Sequence, residues 1–160
     1  MASAFVYNVT LRTVCNRDDA DEITQDVFIK IWKNLKSFHG LSSFKTWIYR
    51  ITMNTAFNHI KAQKRHTERR ADFDPAGRSL SVQEKARSSV DSRERGEKLA
   101  ALLEELNPDQ RACIVLREIE GLDYKEIAAT LKININTVRS RLKRARESIL
   151  SLKEKARWAT

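Results

Sequence analysis

The densest group of side chains able to bind a polyanion lies near the end of the chain. Residues 136–157 contain eight Lys or Arg and two Asp or Glu. On a helix of about 3.6 residues per turn, one face of this segment carries amide, hydroxyl and cationic groups. Arg and Lys can donate to guanine O6 and N7, and Asn can pair with adenine, so the pattern predicts a face that reads a DNA major groove. This predicted face consists of Asn136, Thr137, Arg139, Ser140, Lys143 and Arg144.

The opposite side of the same helix is apolar and needs a core to pack on. Its apolar residues are Val138, Leu142, Ala145 and Ile149. Arg141 and Arg146 flank the polar face, where they are suited to DNA phosphates. A solvated basic helix without a ligand is the alternative interpretation, because basic faces are common. The helix-turn-helix pattern that precedes this segment favours the DNA-binding interpretation.

Helix start and stop signals predict that helix-turn-helix. Asn107 is a predicted N-cap with Pro108 at the first helical position, and the helix that follows is expected to end at Gly121. Asp123 is predicted to cap the next helix, and Glu126 completes a capping box.

Apolar spacing predicts the core of this C-terminal module. Four leucines in the helix before the first cap recur at i, i+3, i+4 and i+7, which indicates one buried face. They are Leu99, Leu102, Leu103 and Leu106, and the next inward face comprises Ile127, Ala128 and Leu131. After a turn over residues 132–135, Asn136 is expected to cap the last helix, which then begins at Thr137.

Carboxylates cluster near the start of a helix predicted in the first third of the chain. The string DADEITQDVFIKIWKNL places apolar residues at near-heptad spacing, namely Ile23, Val27, Ile31 and Leu35, with Phe28 and Trp32 adjacent. The acidic residues are Asp18, Asp19, Asp21, Glu22 and Asp26. They can complement the helix dipole, or form a docking edge for a basic partner protein. A metal site is disfavoured, because no His accompanies these carboxylates and they do not all share a face.

Aromatic, amide and cationic side chains come together in the next segment. Residues 38–43 are predicted to form a loop around Gly40, and Ser42 or Ser43 can cap the helix that follows. Its apolar stripe is Phe44, Trp47, Ile48 and Ile51, of which we expect Phe44 and Trp47 to pack mainly in the core. The polar side chains elsewhere on this helix are Tyr49, Arg50, Asn54, Asn58 and Lys61. Rings beside cations and amides suit single-stranded DNA, where stacking contributes roughly 1–3 kcal/mol per base.

Composition divides the chain into three blocks. Residues 1–65 and 93–160 have helical periodicity and net charges of +5 and +4, whereas residues 66–92 are rich in Ser, charge-balanced and without periodicity. We therefore predict an all-α fold of two small helical domains joined by a flexible linker.

Several functional classes are disfavoured by the composition. The absence of a long apolar run predicts no membrane insertion and a cytoplasmic, nucleoid-associated protein. Cys15 and Cys113 lie far apart in the sequence without a CxxC pattern, which disfavours metal binding by these cysteines. There is no Gly-rich phosphate loop, no GxSxG string and no convincing Ser/His/Asp set, so we expect no cofactor, no metal and no enzymatic activity.

The order of these segments resembles that of the extracytoplasmic-function (ECF) sigma factors of bacterial RNA polymerase. DADEITQDVFIKIWKNLKSF is similar to their region 2.2, and FKTWIYRITMNTAFNHI is similar to regions 2.3 and 2.4. The string LNPDQRACIVLREIEGLDYKEIAATLKININTVRSRLKRARESI is similar to region 4. Members usually carry further residues before the position that matches Ala4. The resemblance therefore implies that region 2 is shortened here or that its start is trimmed.

The resemblance implies three contact surfaces for directing promoter-specific initiation. Core RNA polymerase would be bound through the clamp helices of its largest subunit and the flap of its second subunit, and an anti-sigma factor would be a further partner. The residues facing the clamp helices, called the clamp edge here, would be Glu22, Gln25, Asp26, Phe28 and Lys30. The residues recognising the −10 promoter element, with one flipped base, would be Phe38, His39, Tyr49, Arg50, Asn54, Asn58 and Lys61. The six polar residues of the last helix, called the −35 face, would read the −35 element.

A repressor or activator that binds duplex DNA without polymerase is the alternative to this interpretation. Binding to core polymerase and run-off transcription would separate the two, since the alternative predicts neither.

Overall fold

The chain folds into α-helices in the part that the structure describes. The computed structural model describes the backbone of residues 2–73 and 90–158 and the side chains of residues 4–69 and 96–155. The helices of these ranges are α1 (Ala2–Val14), α2 (Arg17–Asn34), α3 (Phe44–Phe73), α4 (Val90–Glu104), α5 (Pro108–Ile114), α6 (Tyr124–Leu131) and α7 (Ile135–Trp158). A 3₁₀ turn follows α2 at Leu35–Ser37, and a π-helical turn continues α5 at Val115–Ile119. The predicted all-α fold class is confirmed.

Helices α1, α2 and α3 form the N-terminal module. Asn16 caps α2 by accepting a hydrogen bond from the backbone N–H of Asp19 at 3.0 Å. Ser43 caps α3 by accepting from the N–H of Thr46, also at 3.0 Å, so the second of the two predicted serines is the cap. The buried side chains that hold the three helices together are Val6, Ile23, Val27 and Ala56.

The caps predicted for the C-terminal module are confirmed up to α6. Asn107 accepts from the N–H of Gln110 at 2.9 Å. Asp123 and Glu126 bond each other's backbone N–H groups at 2.8 Å, which completes the capping box. Gly121 has φ +75°, the left-handed conformation in which glycine avoids the clash of a Cβ atom.

The predicted cap of α7 is wrong by two residues. The helix begins at Ile135 rather than Thr137, and the side chain of Asn134 accepts from the N–H of Asn136 at 2.8 Å. The reason is the short preceding turn, in which Lys132 alone takes up the left-handed conformation (φ +54°) that ends α6. Because Asn134 does the capping, the side chain of Asn136 is not used as the cap and lies on the exposed surface of the helix.

The two modules share one hydrophobic cluster. Val9 of α1 and Tyr49 and Met53 of α3 pack with the buried core of the C-terminal module, which includes Leu103 and Ile127. The guanidinium of Arg111 in α5 reinforces this contact. It donates to the carbonyl of Thr13 in α1 at 2.9 Å and to carbonyls of its own module.

Two apolar residues predicted on buried faces lie at the surface. Leu99 is 37% exposed and Leu35 is 46% exposed; Leu99 is the first residue of its leucine stripe, and Leu35 lies in the 3₁₀ turn after α2, so both stand at the margin of their apolar faces.

The proposed boundaries of 1–65, 66–92 and 93–160 stay predictions. Helix α3 continues past residue 65 to Phe73, and residues 74–89 of the predicted linker lie outside the described residues. No helix in the described ranges combines the length and the apolar character that a bilayer crossing requires.

Candidate nucleic-acid interface

The −35 face lies on the outside of α7. Val138, Leu142 and Ala145 are completely buried on the inner side, as predicted, and Ile149 is partly buried. Because these residues fix the rotation of the helix, the opposite side points to solvent. Of the −35 face, Thr137 is half-buried, and the exposed members are Asn136, Arg139, Ser140, Lys143 and Arg144.

Neighbouring polar groups order part of this face. Arg139 donates from Nη1 to Oδ1 of Asn136 at 2.9 Å, one helical turn away. Ser140 donates to the carbonyl of Thr137 at 3.0 Å, and Lys143 lies 3.9 Å from a carboxylate oxygen of Glu147. A guanidinium held by an amide loses less rotamer freedom when it binds a base edge, so this arrangement favours directional recognition.

Two arginines expected at DNA phosphates are engaged within the protein. Arg141 donates to Asp109 of α5 at 2.9 Å, and Arg146 donates to Glu118 of the π turn at 2.6 Å. The hydrogen bond to Glu118 raises the pKa of Arg146. Both pairs tie α7 to α5 and its π-helical continuation, so these arginines position the −35 face.

A polar stripe runs along α3. Arg50, Asn54, Asn58 and Lys61 follow each other at spacings of three or four residues and therefore share one side of the helix. Arg50 is half-buried, and the other three are exposed. The Nε atom of Arg50 is buried without a hydrogen-bond partner in the described structure.

Three aromatic rings pack together around the start of α3, and of these pairs Phe44 and Trp47 are stacked. The ring centroids of Phe38 and Phe44 lie 5.3 Å apart, and Trp47 lies 5.4 and 5.6 Å from them. Phe44 is 45% exposed, so the expectation that it packs in the core is wrong. The reason is that α3 begins at Phe44, whose ring reaches back over the loop. His39 is exposed in that loop, beside Leu41, which is 97% exposed.

Tyr49 does not belong to the exposed stripe, contrary to the expectation that it lies with the other polar side chains. It is only 1% exposed, because its ring points about 100° away from Arg50, toward the C-terminal module. Its hydroxyl donates to Oε2 of Glu120 at 2.6 Å. Burial and then this hydrogen bond raise the pKa of Tyr49 well above its ordinary value.

The clamp edge divides into exposed and inward residues. Glu22, Gln25 and Asp26 are exposed on α2. Phe28, by contrast, packs against the core of the N-terminal module, and Lys30 donates to the hydroxyl of Thr55 in α3 at 3.1 Å.

Two apolar residues on this side of α2 were missed from the predicted set. Ile29 is 51% exposed and Trp32 is 81% exposed, and both fall on the face that carries the exposed members of the clamp edge. The spacing from Gln25 to Ile29 and Trp32, four and then three residues, was the signal that could have identified them.

The acidic residues of α2 separate by role. Asp18 and Asp19 lie in its first turn. Asp19 also accepts from Gln63 at 2.8 Å and contacts a ring nitrogen of His59 at 3.1 Å, which links α2 to α3. Among the residues with described side chains, no group of three or more His, Cys, Asp or Glu is arranged to hold a metal ion.

Family models match both modules. The model for sigma-70 region 2 matches residues 2–66, and the model for sigma-70 region 4 matches residues 96–149. Together they cover most of the chain, on either side of the predicted linker.

Curated relatives span nearly the whole chain. It is 35% identical to the RNA polymerase sigma-H factor of Pseudomonas aeruginosa over 150 residues, covering 90% of this chain and 78% of the relative. It is 39% identical to the ECF RNA polymerase sigma-E factor of Escherichia coli K12 over 138 residues, covering 82% of this chain and 72% of the relative.

Two solved structures share the arrangement. The sigma factor RpoE in complex with the anti-sigma factor NepR from Bartonella quintana aligns with a TM-score of 0.70 and 25% identity, over 95% of this chain and 91% of that chain. CnrH in complex with the cytosolic domain of CnrY aligns with a TM-score of 0.65 and 22% identity, over 94% and 80% of the two chains. The second likeness concerns the fold alone.

Proposed function

The chain belongs to the ECF type of the sigma-70 family, whose members direct promoter-specific initiation by RNA polymerase, and on that premise we propose how its surfaces divide the work. One surface binds core polymerase, and two others recognise the −10 and −35 elements. The observation that carries this division is the outward −35 face of α7, which a buried apolar side holds in place.

We assign the −35 face to major-groove readout. Arg139, Lys143 and Arg144 supply the cationic donors that guanine accepts, and Asn136 supplies the amide that orients Arg139. The pairs of Arg141 with Asp109 and of Arg146 with Glu118 support this assignment, because they fix the helix that presents the face. The exposed cations also neutralise phosphates, so duplex affinity should fall steeply with salt.

We assign the first two thirds of α3 and the preceding loop to the −10 element. The exposed amides of Asn54 and Asn58 can bond base edges, and Lys61 can hold the backbone. Phe38 lies against Phe44 and Trp47, and His39 is exposed next to them, so this loop offers stacking surface to an extruded base. Arg50 and Tyr49 complete the proposed −10 residues, although Tyr49 is covered in this arrangement.

We assign the exposed side of α2 to the clamp helices. Glu22, Gln25 and Asp26 share one face of α2 with the exposed side chains of Trp32 and Ile29, and an apolar anchor beside polar groups is typical of a protein interface. Phe28 and Lys30 support this surface from the inside. The flap of the second polymerase subunit is the proposed contact of the C-terminal module.

We propose a cytoplasmic, nucleoid-associated role without chemistry of its own. The chain would lend promoter specificity and help open the DNA, while phosphodiester formation belongs to the polymerase. The RpoE and CnrH structures each contain a partner protein, and on that likeness we propose that an anti-sigma factor binds this chain.

In vitro transcription with core polymerase and a promoter library tests the proposal. Core polymerase with the full chain should initiate at defined start sites, and the selected promoters should share two elements. Core polymerase alone is the control. If the chain bound duplex DNA but neither core polymerase nor any start site, it would be a free-standing repressor or activator, and the proposal would be wrong.

A further inference from the structure

We propose that a second copy of this chain binds to α2, with the two α2 helices antiparallel, and that the resulting dimer covers the clamp edge. The surface is the outward side of α2 and of the 3₁₀ turn after it, called the self-contact stripe here. All of its members are exposed, and they are Glu22, Gln25, Asp26, Ile29, Trp32, Lys33 and Lys36. The effect on polymerase rests on the proposed function, because both partners use this side of α2.

The charges of the self-contact stripe change sign along the helix. Glu22 and Asp26 lie toward its N-terminal end. Lys33 and Lys36 lie toward the other end, with Ile29 midway. A two-fold axis at the centre of such a stripe places the acidic half of each copy on the basic half of the other. A surface that is its own complement in the antiparallel direction therefore points to a second copy of the same chain.

Helical geometry gives the register of the pair. With the two-fold axis at Ile29, each residue before Ile29 faces the residue that lies the same number of positions after it in the other copy. Rotation by about 100° per residue places the members of each pair on matching sides of the axis. The resulting pairs are Glu22 with Lys36, Gln25 with Lys33, and Asp26 with Trp32. Every pair thus joins a side-chain N–H donor to a side-chain oxygen acceptor.

An apolar centre supplies buried area for this contact. Trp32 is 81% exposed and Ile29 is 51% exposed. In the antiparallel pair the two Ile29 side chains meet on the axis, and a Trp32 ring lies on either side of them. Apolar side chains within a polar rim are typical of protein interfaces, where tryptophan is often a hot spot. Because α2 has 18 residues and is only about 27 Å long, the contact is small and we expect weak association.

The helix dipole alone does not account for the charge pattern. Its effect is confined to the first and last turns of a helix, and the first turn of α2 holds Asp18 and Asp19. Glu22 and Asp26 lie beyond that turn and are four residues apart, a spacing at which like charges repel along one helix. Within the part of the chain whose side chains are described, neither carboxylate forms an ion pair. The basic half of a second α2 would compensate both.

Self-association competes with binding to polymerase. The clamp edge shares Glu22, Gln25 and Asp26 with the self-contact stripe, so the clamp helices and a second copy cannot both lie on this side of α2. The dimer therefore holds the chain in reserve when it exceeds core polymerase. Each polymerase takes up one copy.

Two charge-reversed versions of the full chain test the contact. The first carries Glu22→Lys and Asp26→Lys, so its stripe is entirely basic. The second carries Lys33→Glu and Lys36→Glu, so its stripe is entirely acidic. Each version alone brings like charges together in the antiparallel pair, whereas an equimolar mixture gives every stripe a partner of opposite sign.

Matched controls carry the same changes of charge elsewhere. They change exposed residues outside the stripe and are Glu68→Lys with Glu105→Lys, and Lys153→Glu with Lys155→Glu. Sedimentation equilibrium without DNA or polymerase measures self-association from low to high micromolar concentration. Circular dichroism checks that each version is folded.

Wild type and both controls should show the same monomer–dimer equilibrium. Each charge-reversed version alone should dimerise at least about tenfold more weakly, and the mixture should recover the affinity of wild type to within about threefold. The dimer is refuted if wild type stays monomeric throughout, or if the folded charge-reversed versions dimerise as wild type does. It is also refuted if their mixture associates no better than either version alone.

Core polymerase tests the competition separately. Added core polymerase should reduce the amount of dimer, with one chain bound per polymerase. Two chains on one polymerase would show that the dimer does not cover the clamp edge. The dimer itself is decided without polymerase, and the proposed function is decided by transcription with wild type, so either can fail while the other stands.

Discussion

Helices α7 and α3 carry similar side chains that we propose to bind DNA, but they differ in what covers these side chains. The −35 face of α7 points away from both modules, and its arginine is already oriented by Asn136. Helix α3 keeps its amides exposed but directs Tyr49 into the contact with the C-terminal module. On the proposed assignments, the −35 face can contact a duplex in this arrangement, whereas Tyr49 could contact a melted −10 element only if the modules parted.

Reversing the charge of the −35 face of α7 should have the largest effect on DNA binding. Lys143→Glu combined with Arg144→Glu should weaken duplex binding at −35 by at least about a hundredfold, because two cationic donors become repulsive. Footprinting of the −35 element measures this, and polymerase association should be retained. Lys153→Glu with Lys155→Glu, an equal charge change at exposed positions later in α7, is the control. An unchanged footprint with the Lys143→Glu, Arg144→Glu variant would show that the −35 face of α7 does not bind the −35 element.

Removing the exposed tryptophan of α2 should have the next largest effect. The affected quantity is the affinity for core polymerase and not the affinity for DNA. Trp32→Ala should weaken binding to core polymerase by about tenfold or more, since a buried tryptophan is a typical hot spot. Leu41→Ala is the control, because it removes an even more exposed apolar side chain in the loop before α3. It should leave the affinity for core polymerase, measured in the absence of DNA, unchanged. Equal losses in the two variants would argue against the assigned surface.

Asn54→Ala tests the single-strand role of α3. It should slow promoter opening about tenfold, the cost of one base-edge contact of 1–2 kcal/mol, while duplex binding changes little. Permanganate reactivity of unpaired thymines reports opening, and gel mobility shift reports duplex binding. The exposed Asn34 of α2, changed to Ala, is the control. If opening and duplex binding fall by the same factor, α3 has no separate role.

Asn136→Ala should have the smallest effect. It removes the amide that holds Arg139 but leaves the guanidinium, so binding to the −35 element should weaken roughly threefold through lost preorganisation. Arg139→Ala should cost more, and the double variant should cost no more than Arg139→Ala alone. Additive losses would show that Asn136 contacts DNA independently of Arg139.

Local features of the fold were predictable from the sequence, and contacts between distant segments were not. Asn107, Asp123 and Glu126 cap helices through bonds to groups three residues away, so spacing alone identifies them. The cap of α7 was missed because Asn134 and Asn136 fit the same pattern, and only the length of the preceding turn decides between them.

Helical spacing could not predict whether Tyr49, one of the candidate site residues, is exposed or buried. Its position on α3 is compatible with the surface and with the core, and the choice depends on Glu120, which lies 71 residues away in the chain. The same limit applies to Arg141 and Arg146, whose charge suggested phosphates but whose partners come from a different helix. By contrast, the exposed members of the −35 face follow from α7 alone, because its buried residues determine the opposite side.

The distance between the modules tests the account most directly. Labels carried by non-canonical amino acids at the exposed positions Lys36 and Ser151 would report it in the free chain and in the complex with core polymerase and promoter DNA. The account predicts a short distance in the free chain and an increase of several tens of ångströms in the complex, toward the roughly 85 Å that separates elements about 25 base pairs apart at about 3.4 Å per base pair. An unchanged distance in a transcribing complex would contradict it.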